Sequence, residues 1–185
     1  MSLTPSNMLP LGTPAPDFVL PNTVTGEMVS FKDLASPTAT VVMFICNHCP
    51  YVVHILGKLL QVTKEYKKQG VNFIAISSND VNNYPDDSPE KMKALALLNS
   101  FPFPYLYDES QEVAKAYQAA CTPDFYIFDS SLSCAYRGRF DEATPGNGAP
   151  ITGNDLTAAL DKIIAKKQVD TEQTPSMGCN IKWKD

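Results

Sequence analysis

The chain contains 185 residues, of which 44% are hydrophobic and 19% are charged, so it can bury a core and does not have the composition of a disordered protein. Its net charge of −5, without a basic cluster, argues against nucleic acid or a membrane surface as a partner. No repeating period is present, and the apolar runs are too short to cross a bilayer. We therefore expect one domain spanning residues 1–185.

The first 16 residues contain four prolines and little periodicity, which predicts an N-terminal arm leading into the domain. They lack the basic start and the apolar stretch of a secretory signal. Five cysteines are an odd number in a chain too large to need disulfides for stability. These features favour a reducing compartment, so we expect a cytoplasmic protein; an exported mature form without its signal stays open.

Apolar periodicity and turn residues divide the chain into alternating strands and helices. In chain order we predict a strand pair 18–20 and 28–31, strand 40–45, helix 50–69, strand 71–77, helix 89–98, strand 105–107, helix 110–120, hairpin strands 125–128 and 133–136, helix 155–167 and a tail 168–185. Ser88 and Asn154 are the expected N-caps of their helices. The early strand–helix–strand unit implies a parallel pair with a right-handed crossover.

Two cysteines three residues apart, Cys46 and Cys49, lie where the central strand meets the long helix. The free N–H groups and the dipole of a helix N-terminus favour negative charge, and the thiolate is the reactive form of cysteine. A Cys-X-X-Cys pair in this setting is typical of a redox dithiol. We therefore predict that Cys46 is the more exposed and more acidic thiol, and that His48 lowers its pKa.

The order of elements is that of the thioredoxin fold, and four segments strengthen the similarity: F-I-C-N-H-C-P-Y, T-P-D-F-Y-I-F-D, Y-R-G-R-F-D and S-M-G-C-N-I-K-W-K. The chain resembles the redoxin branch of the thioredoxin-like superfamily, which includes alkyl hydroperoxide reductase and thiol-specific antioxidant proteins, here with a Cys-Asn-His-Cys site. This resemblance implies an α/β fold. It would have a central mixed β-sheet flanked by helices, an N-terminal strand extension and an inserted helix.

The resemblance also implies residue roles. Cys46 would be the nucleophile of a thiol–disulfide oxidoreductase and Cys49 the resolving thiol. Thr122 and Pro123 would form a cis-proline turn whose backbone pairs with an extended substrate. Cys121 precedes this turn and is one candidate for a third redox thiol.

Two departures and two alternatives accompany this interpretation. Thioredoxin carries a buried acid six residues before its first cysteine, where this chain has Thr40, and no carboxylate occurs between residues 35 and 61. A peroxiredoxin-like peroxidase would use Cys49, but Cys46 occupies the position of the required threonine or serine. A copper-delivery type of metal chaperone would lack a third ligand unless Cys121 or Cys179 supplied it. We predict no metal and no cofactor.

The tail alternates apolar and polar residues, with Cys179, Ile181 and Trp183 on one face. We predict that it docks on the domain, buries Trp183 and turns Cys179 inward, where Cys179 is either a packed thiol or a third redox thiol. The expected partners are a protein or small-molecule disulfide and a thiol/disulfide electron donor or acceptor. The protein is expected to be a monomer or a homodimer.

Overall fold

A computed structural model describes residues 3–184. Met1, Ser2 and Asp185, which belong to the predicted arm, tail and single domain, lie outside the described residues. The elements are β1 (Leu3–Pro5), β2 (Val19–Pro21), β3 (Met28–Ser30), α1 (Phe31–Leu34), β4 (Ala39–Phe44), α2 (Pro50–Lys67), β5 (Val71–Ser77), α3 (Pro89–Leu98), β6 (Tyr105–Tyr107), α4 (Glu112–Ala116), β7 (Cys121–Thr122), β8 (Asp124–Asp129), β9 (Cys134–Gly138), α5 (Asn154–Ile164) and β10 (Met177–Asn180).

A five-stranded mixed sheet forms the centre of the fold, in the order β6-β5-β4-β8-β9. Strands β4, β5 and β6 are parallel, whereas β8 and β9 run antiparallel as a hairpin. Helix α2 connects the parallel strands β4 and β5, as the strand–helix–strand pattern predicted. The predicted central mixed sheet flanked by helices is therefore confirmed.

The central strand β4 is buried on both sides, because successive side chains point to opposite faces of the sheet. Val41 and Met43 enter a core cluster that includes the buried faces of α2, α3 and α5. Val42 and Phe44 enter a second, aromatic-rich cluster that includes Phe31 of α1 and residues of α4. The sheet thus has helices on both faces, and the dithiol belongs to the first cluster.

Two helices, α4 and α5, have boundaries that differ from the prediction, and residues with positive φ lie at these boundaries. Helix α4 is shorter than 110–120, because Gln111 (φ 65°) and Gln118 (φ 54°) lie in the left-handed region at its two ends. Helix α5 is capped by Gly153 (φ 73°) and not by Asn154, which is its first residue. A Cβ at Gly153 would lie 2.7 Å from the Phe140 ring, so the close packing requires glycine.

The two ends of the chain form a second, three-stranded antiparallel sheet in the order β1-β10-β7. The arm is therefore more than a lead into the domain, because β1 pairs with β10 of the tail. Strand β10 also pairs with β7, which lies directly before the β8 strand of the central sheet. This second sheet brings the tail to the end of the molecule that carries the dithiol.

Between residues 3 and 184, no helix combines the length and the apolar character needed to span a membrane.

Candidate active site

The dithiol lies at the carboxyl end of β4, where the chain turns into α2. Cys46 follows the strand by two residues, and Cys49 is the N-cap of α2, with Pro50 at the first helical position. Both cysteines are free thiols, and both are almost completely buried, with exposed fractions of 1% for Cys46 and 0% for Cys49. Cys46 is the thiol predicted to be the more exposed of the two, and the difference in exposure between them is very small.

The two thiols influence each other, and this coupling pushes their pKa values in opposite directions. The influence of Cys46 lowers the pKa of Cys49 to about 4, with further contributions from Thr122, Cys179 and the Val52 N–H, while burial opposes the shift. The influence of Cys49 raises the pKa of Cys46 well above its usual value, together with burial and the nearby Asp87 carboxylate. Cys49 is thus the more acidic thiol of the pair.

This order of acidity is the reverse of the expected one, and the neighbours of the two thiols explain the difference. Cys49 is the N-cap residue of α2 without a side-chain capping bond; Cys46 lowers its pKa most, and Thr122, Cys179 and the Val52 N–H add to the effect. Cys46 is buried next to the Asp87 carboxylate, which opposes a second negative charge. The resolving cysteine is therefore the more acidic one.

Asp87 is the main addition that the structure makes to the predicted site. Its Oδ1 atom accepts hydrogen bonds from the backbone N–H groups of Asn47 (2.7 Å) and His48 (3.4 Å). Its Oδ2 atom accepts a hydrogen bond from Asn79 Nδ2 (2.7 Å) and lies 2.6 Å from His48 Nδ1. Asp87 is fully buried, and it fixes the loop between the two cysteines.

His48 connects this carboxylate to the reactive sulfur. Its ring stacks on Tyr84, with centroids 5.8 Å apart and an interplanar angle of 8°. Cys46, His48 and Asp87 each contribute one atom that could bind a metal, and these three atoms lie within 4.8 Å of one another. A carboxylate that orients an imidazole beside a thiol can accept and return a proton at that thiol.

The sequence analysis missed Asp87 because it searched for an acid only near the cysteines in the chain. The signal that could have found it is topological. Neighbouring parallel strands end at the same edge of a sheet, so the polar segment after β5 had to lie beside the end of β4. Thr40 does not take the place of the acid. It is buried in the first half of β4, where its Oγ1 accepts a hydrogen bond from the Ser36 N–H (2.9 Å).

Thr122 and Pro123 face the dithiol, and the peptide bond between them is cis, as the resemblance implied. The Cys49 thiol lies 3.2 Å from the Thr122 carbonyl oxygen. Cys46 Sγ lies 3.5 Å from Thr122 Oγ1. Thr122 thus contacts both sulfurs, through its backbone and its side chain.

The edge of β7 that the sequence analysis assigned to a substrate is occupied by the chain's own tail. Cys179 pairs with Thr122, and Asn180 pairs with Cys121. Gly178 makes the approach so close that a Cβ there would lie 2.0 Å from the Thr122 carbonyl oxygen. An extended substrate could pair with Thr122 only after displacing β10.

The two candidate third thiols differ in what they touch. The Cys179 side chain helps to lower the pKa of Cys49, and Cys179 is 5% exposed. Cys121 points toward the other side of its strand, where it contacts Ser6 and lies beside Asp124, and burial raises its pKa. Of the two, Cys179 joins the dithiol.

The tail is anchored by residues other than the predicted tryptophan. Trp183 is 41% exposed, so the prediction that it is buried is wrong. Ile181 is 1% exposed instead, and its N–H donates to the Ala120 carbonyl (3.0 Å). The alternation ends after Ile181 because β10 itself ends at Asn180.

A thiol, an imidazole and a carboxylate together form a set that could hold a transition metal. In this site, however, both Asp87 oxygens already accept hydrogen bonds from protein groups. Cys46 likewise contacts Cys49 and Thr122. Both His48 nitrogens, in contrast, are buried without a hydrogen-bond partner, and Nδ1 lies 2.6 Å from Asp87 Oδ2, so the imidazole can exchange a proton with its neighbours.

Two cavities lie at different distances from the site, and one of them is beside it. A groove of about 380 Å³ lies beside the dithiol loop and is lined by Asn47, His48, Lys91, Leu95 and Leu98, among others. A larger cavity of about 650 Å³ is lined by Thr38, Gln69 and residues at the end of α5. The larger one lies at the opposite end of β4 and α2 and contains no cysteine, so we do not relate it to the redox chemistry.

Comparison with known proteins assigns the sequence of this chain to a family. A sequence model of the AhpC/TSA family matches residues 11–137, which is more than half of the chain. Among curated proteins, none matches the sequence at a significant level.

Many solved structures are similar to this chain, and three of them show the range of similarity. An uncharacterized conserved protein from Geobacillus kaustophilus is 54% identical over 100% of this chain and 97% of that chain, with a TM-score of 0.98. A hypothetical protein from Sinorhizobium meliloti is 46% identical over 98% of both chains, with a TM-score of 0.95. A putative thioredoxin from Neisseria meningitidis is 21% identical over 84% of this chain and 93% of that chain, with a TM-score of 0.63, which confirms the thioredoxin-like fold.

Proposed function

This chain belongs to the AhpC/TSA family, and from the chemistry of its site we propose that it is a thiol–disulfide oxidoreductase whose active pair is Cys46 and Cys49. The observation that supports this most is that both sulfurs meet at Thr122 beside the N-terminus of α2: Cys46 Sγ lies 3.5 Å from its hydroxyl oxygen and Cys49 Sγ lies 3.2 Å from its carbonyl oxygen. A pair of thiols already in contact can close to a disulfide with little movement. Redox function in general follows from the family, and the exchange reaction is the proposal.

The proposed reaction has two steps. Cys46 attacks one sulfur of a substrate disulfide, which forms a mixed disulfide and releases the first substrate thiolate. Cys49 then attacks the Cys46 sulfur, which closes the Cys46–Cys49 disulfide and releases the second substrate thiolate. The substrate gains two electrons and the dithiol loses two. The one proton that the dithiol holds ends on one released substrate thiolate, and the other thiolate takes up a proton from water.

The groups around Cys46 support its role as the attacking thiol even though it holds the proton of the pair. Its neighbour, Cys49, is an anion that can accept this proton. The Asp87–His48 pair offers a second acceptor nearby. Cys49, in contrast, is enclosed by Cys46, Thr122 and Cys179, which leaves no approach for an external disulfide.

A peroxidase is the first alternative, and the geometry argues against it. The peroxidatic cysteine of that chemistry would be Cys49, which has no exposed surface and contacts other sulfurs. Cys46 occupies the position where a threonine or serine hydroxyl would be needed. Peroxide turnover should therefore be slow compared with disulfide exchange.

A metal-binding role is the second alternative, and the cluster of Cys46, His48 and Asp87 is the observation in its favour. Asp87 supplies the third ligand type that the sequence lacked near the dithiol. Titration of the reduced protein with Cu(I) or Zn²⁺ would test this role. Stoichiometric binding that protects Cys46 from alkylation and is lost in Asp87→Asn would favour it over proton transfer.

The test of the proposed function is reduction of insulin by the protein with dithiothreitol as the donor. We expect turnover by the wild type, loss of turnover in Cys46→Ser, and retention in Cys134→Ser. Cys134 is a matched control because it is also buried but lies in the other core cluster. Rapid peroxide consumption by Cys46→Ser, without insulin reduction by the wild type, would contradict the proposal and favour the peroxidase.

The proposed partners follow from this chemistry. They are a disulfide substrate and a thiol/disulfide couple that resets the dithiol, and the proposed setting is the reducing cytoplasm. No nucleic acid or membrane takes part in the proposed reaction.

A further inference from the structure

We propose that Cys179 is a third redox thiol, which takes over the disulfide from the active pair and forms a Cys49–Cys179 disulfide. This inference rests on the proposed function and deepens it, because it adds an internal acceptor to the same site. Three independent features support it: the contact between sulfurs, the pairing of the tail with Thr122, and the close approach at Gly178.

The first feature is the position of Cys49 between two thiols. Its sulfur lies 3.2 Å from the Thr122 carbonyl oxygen, Cys46 Sγ lies 3.5 Å from the Thr122 hydroxyl oxygen, and Cys179 pairs with Thr122 across the two strands. Cys46 and Cys179 are also the two thiols whose side chains shift the pKa of Cys49. A thiol–disulfide exchange requires the attacking sulfur to reach the central one. Cys49 is therefore the one cysteine of the cluster that can bond with either neighbour.

The second feature is the way in which the tail is held. Strand β10 pairs on both edges, with Thr122 opposite Cys179 on one side and Leu3 opposite it on the other. Beyond the strand, the Lys182 N–H donates to Asn79 Oδ1 (2.9 Å) and the Asp80 N–H donates to the Lys182 carbonyl (2.8 Å). The tail thus holds the Cys179 thiol against the dithiol as part of the folded domain.

The third feature is Gly178, which lets the tail backbone pass against the cis-proline turn. A side chain at this position would collide with the Thr122 carbonyl and meet the Pro123 nitrogen at 3.3 Å. Packing of Cys179 alone does not require this approach. The approach places the neighbouring thiol where the thiol of a paired substrate strand would lie.

The proposed step is an exchange that needs no further oxidant. After substrate reduction, the protein carries the Cys46–Cys49 disulfide. The Cys179 thiolate attacks Cys49 Sγ, the Cys49–Cys179 bond forms, the Cys46–Cys49 bond breaks, and Cys46 leaves as a thiolate that takes up the proton lost by Cys179. The number of disulfides and electrons in the protein is unchanged, and Cys46 is a free thiol again.

Oxidation of the active pair removes a negative charge next to Cys179, which makes the Cys179 thiolate easier to form. Burial and the Cys49 thiolate raise the pKa of Cys179 to about 12 in the reduced protein, while Lys182 opposes the shift. When Cys49 is part of a disulfide, its negative charge is gone and the Lys182 ammonium remains. Cys179 is therefore held as a thiol until Cys49 has been oxidised.

The test oxidises the Cys46→Ser protein with one equivalent of diamide, which joins two neighbouring thiols and is itself reduced to the hydrazine. After acid quenching and alkylation, peptide mapping should show a Cys49–Cys179 link in more than about half of the molecules, with loss of both thiols. Cys46→Ser/Cys134→Ser should form the same link, because Cys134 lies in the other core cluster. Cys46→Ser/Cys179→Ser should form no intramolecular link.

The wild type provides a second measurement that does not depend on a variant folding. After oxidation to one disulfide per chain, a fraction of the molecules should carry an alkylatable Cys46 together with a Cys49–Cys179 link. Oxidised wild type with only the Cys46–Cys49 link, or Cys46→Ser with a free Cys179 thiol, would overturn the inference. Neither measurement uses a substrate, so a failure of insulin reduction with the Cys49–Cys179 link intact would count against the proposed function alone.

Discussion

At the scale of single residues, the site combines two coupled thiols with a carboxylate that is distant in the sequence but adjacent in the fold. Cys46 and Cys49 shift each other's pKa in opposite directions, and the Asp87 carboxylate beside Cys46 adds to the difference, so Cys49 is the more acidic thiol. Asp87 then orients His48 beside Cys46 and also holds the loop between the cysteines. The reactivity of Cys46 therefore depends on proton acceptors around it more than on its own acidity.

The Asp87→Asn substitution separates two effects of this carboxylate: its influence on the pKa of Cys46 and its orientation of His48. Asp87 raises the pKa of Cys46, so its neutral replacement should lower that pKa and make Cys46 more acidic. Disulfide exchange should nevertheless slow by about 100-fold, because the orientation of His48 as a proton acceptor is lost. The readouts are the pH dependence of Cys46 alkylation and the rate of insulin reduction.

Asp86→Asn is the matched control, because Asp86 is the neighbouring carboxylate and forms a surface ion pair with Lys91. We expect it to leave both readouts near the wild-type values. If Asp87→Asn exchanges as fast as the wild type, or faster in step with its lower pKa, the assignment of a proton-transfer role to Asp87 is wrong.

The site residues that the sequence identifies lie in local patterns, whereas those that it misses depend on contacts between distant segments of the chain. Cys46, Cys49 and Thr122-Pro123 lie in local patterns whose spacing sets their geometry, and they do meet in the structure. Asp87 reaches the site only through the pairing of β4 with β5, a contact between segments about 40 residues apart. The acidity order also escaped prediction, because it depends on the neighbours that the fold brings to each thiol, such as Thr122 beside Cys49 and Asp87 beside Cys46.

At the scale of elements, strand β10 decides how the site is closed. It covers the edge of β7 that a substrate would pair with, and it is itself fixed by β1. The period-two pattern of the tail predicted a strand, but it could not show where the strand would end. Cys179 and Ile181 are buried, whereas Trp183 lies beyond the paired segment and is largely accessible.

Ile181→Ala and Trp183→Ala test which residue anchors the tail. Ile181 is buried, so its truncation should lower the free energy of unfolding by about 2–4 kcal/mol. Trp183 is 41% exposed, so its truncation should cost less than about 1 kcal/mol. Urea unfolding of both variants is the measurement, and a larger loss for Trp183→Ala would contradict the observed packing.

Gly178→Ala tests the close approach of β10 to the cis-proline turn. The added methyl group would lie 2.0 Å from the Thr122 carbonyl oxygen, so the tail must shift away from β7. We expect amide hydrogen exchange in residues 177–182 to become at least about 10-fold faster. Gly57→Ala, which meets no atom within 4 Å, is the control and should leave this exchange unchanged.

At the scale of the whole molecule, the ends of the chain and the central sheet meet at one buried carboxylate. Asp124 begins β8, accepts hydrogen bonds from Ser6 of the N-terminal segment (2.7 Å) and Tyr126 (2.9 Å), and is fully buried. Burial raises the pKa of Asp124 to about 7, although both hydrogen bonds oppose the shift. This one group therefore couples the stability of the fold to pH.

The pH dependence has a defined sign. Below about pH 4, Asp124 is protonated in both the folded and the unfolded chain, and the folded state has its full stability. Above pH 4 the unfolded chain ionises first at this position, so the contribution of Asp124 to stability falls as pH rises through about 7 and then levels off, while the lowered pKa of Cys49 contributes a slope of opposite sign. Asp124→Asn should remove the slope that Asp124 contributes, which amounts to about 2–3 kcal/mol between pH 5 and pH 8.

Urea unfolding of the wild type and of Asp124→Asn at both pH values measures this slope. Asp86→Asn, which changes an exposed carboxylate, should keep the wild-type slope. Parallel pH profiles for wild type and Asp124→Asn would show that Asp124 titrates in the folded protein as it does in the unfolded chain.

The central claim is that Cys46 attacks an external disulfide and Cys49 resolves the product, and trapping the intermediate tests it most directly. The Cys49→Ser protein is mixed with hydroxyethyl disulfide, quenched in acid and mapped by mass spectrometry. The account predicts a stable mixed disulfide on Cys46, whereas the wild type treated in the same way should show a Cys46–Cys49 disulfide or, after internal exchange, a Cys49–Cys179 disulfide. A Cys49→Ser protein with no adduct on Cys46, together with a Cys46→Ser protein that forms the adduct on Cys49, would contradict it.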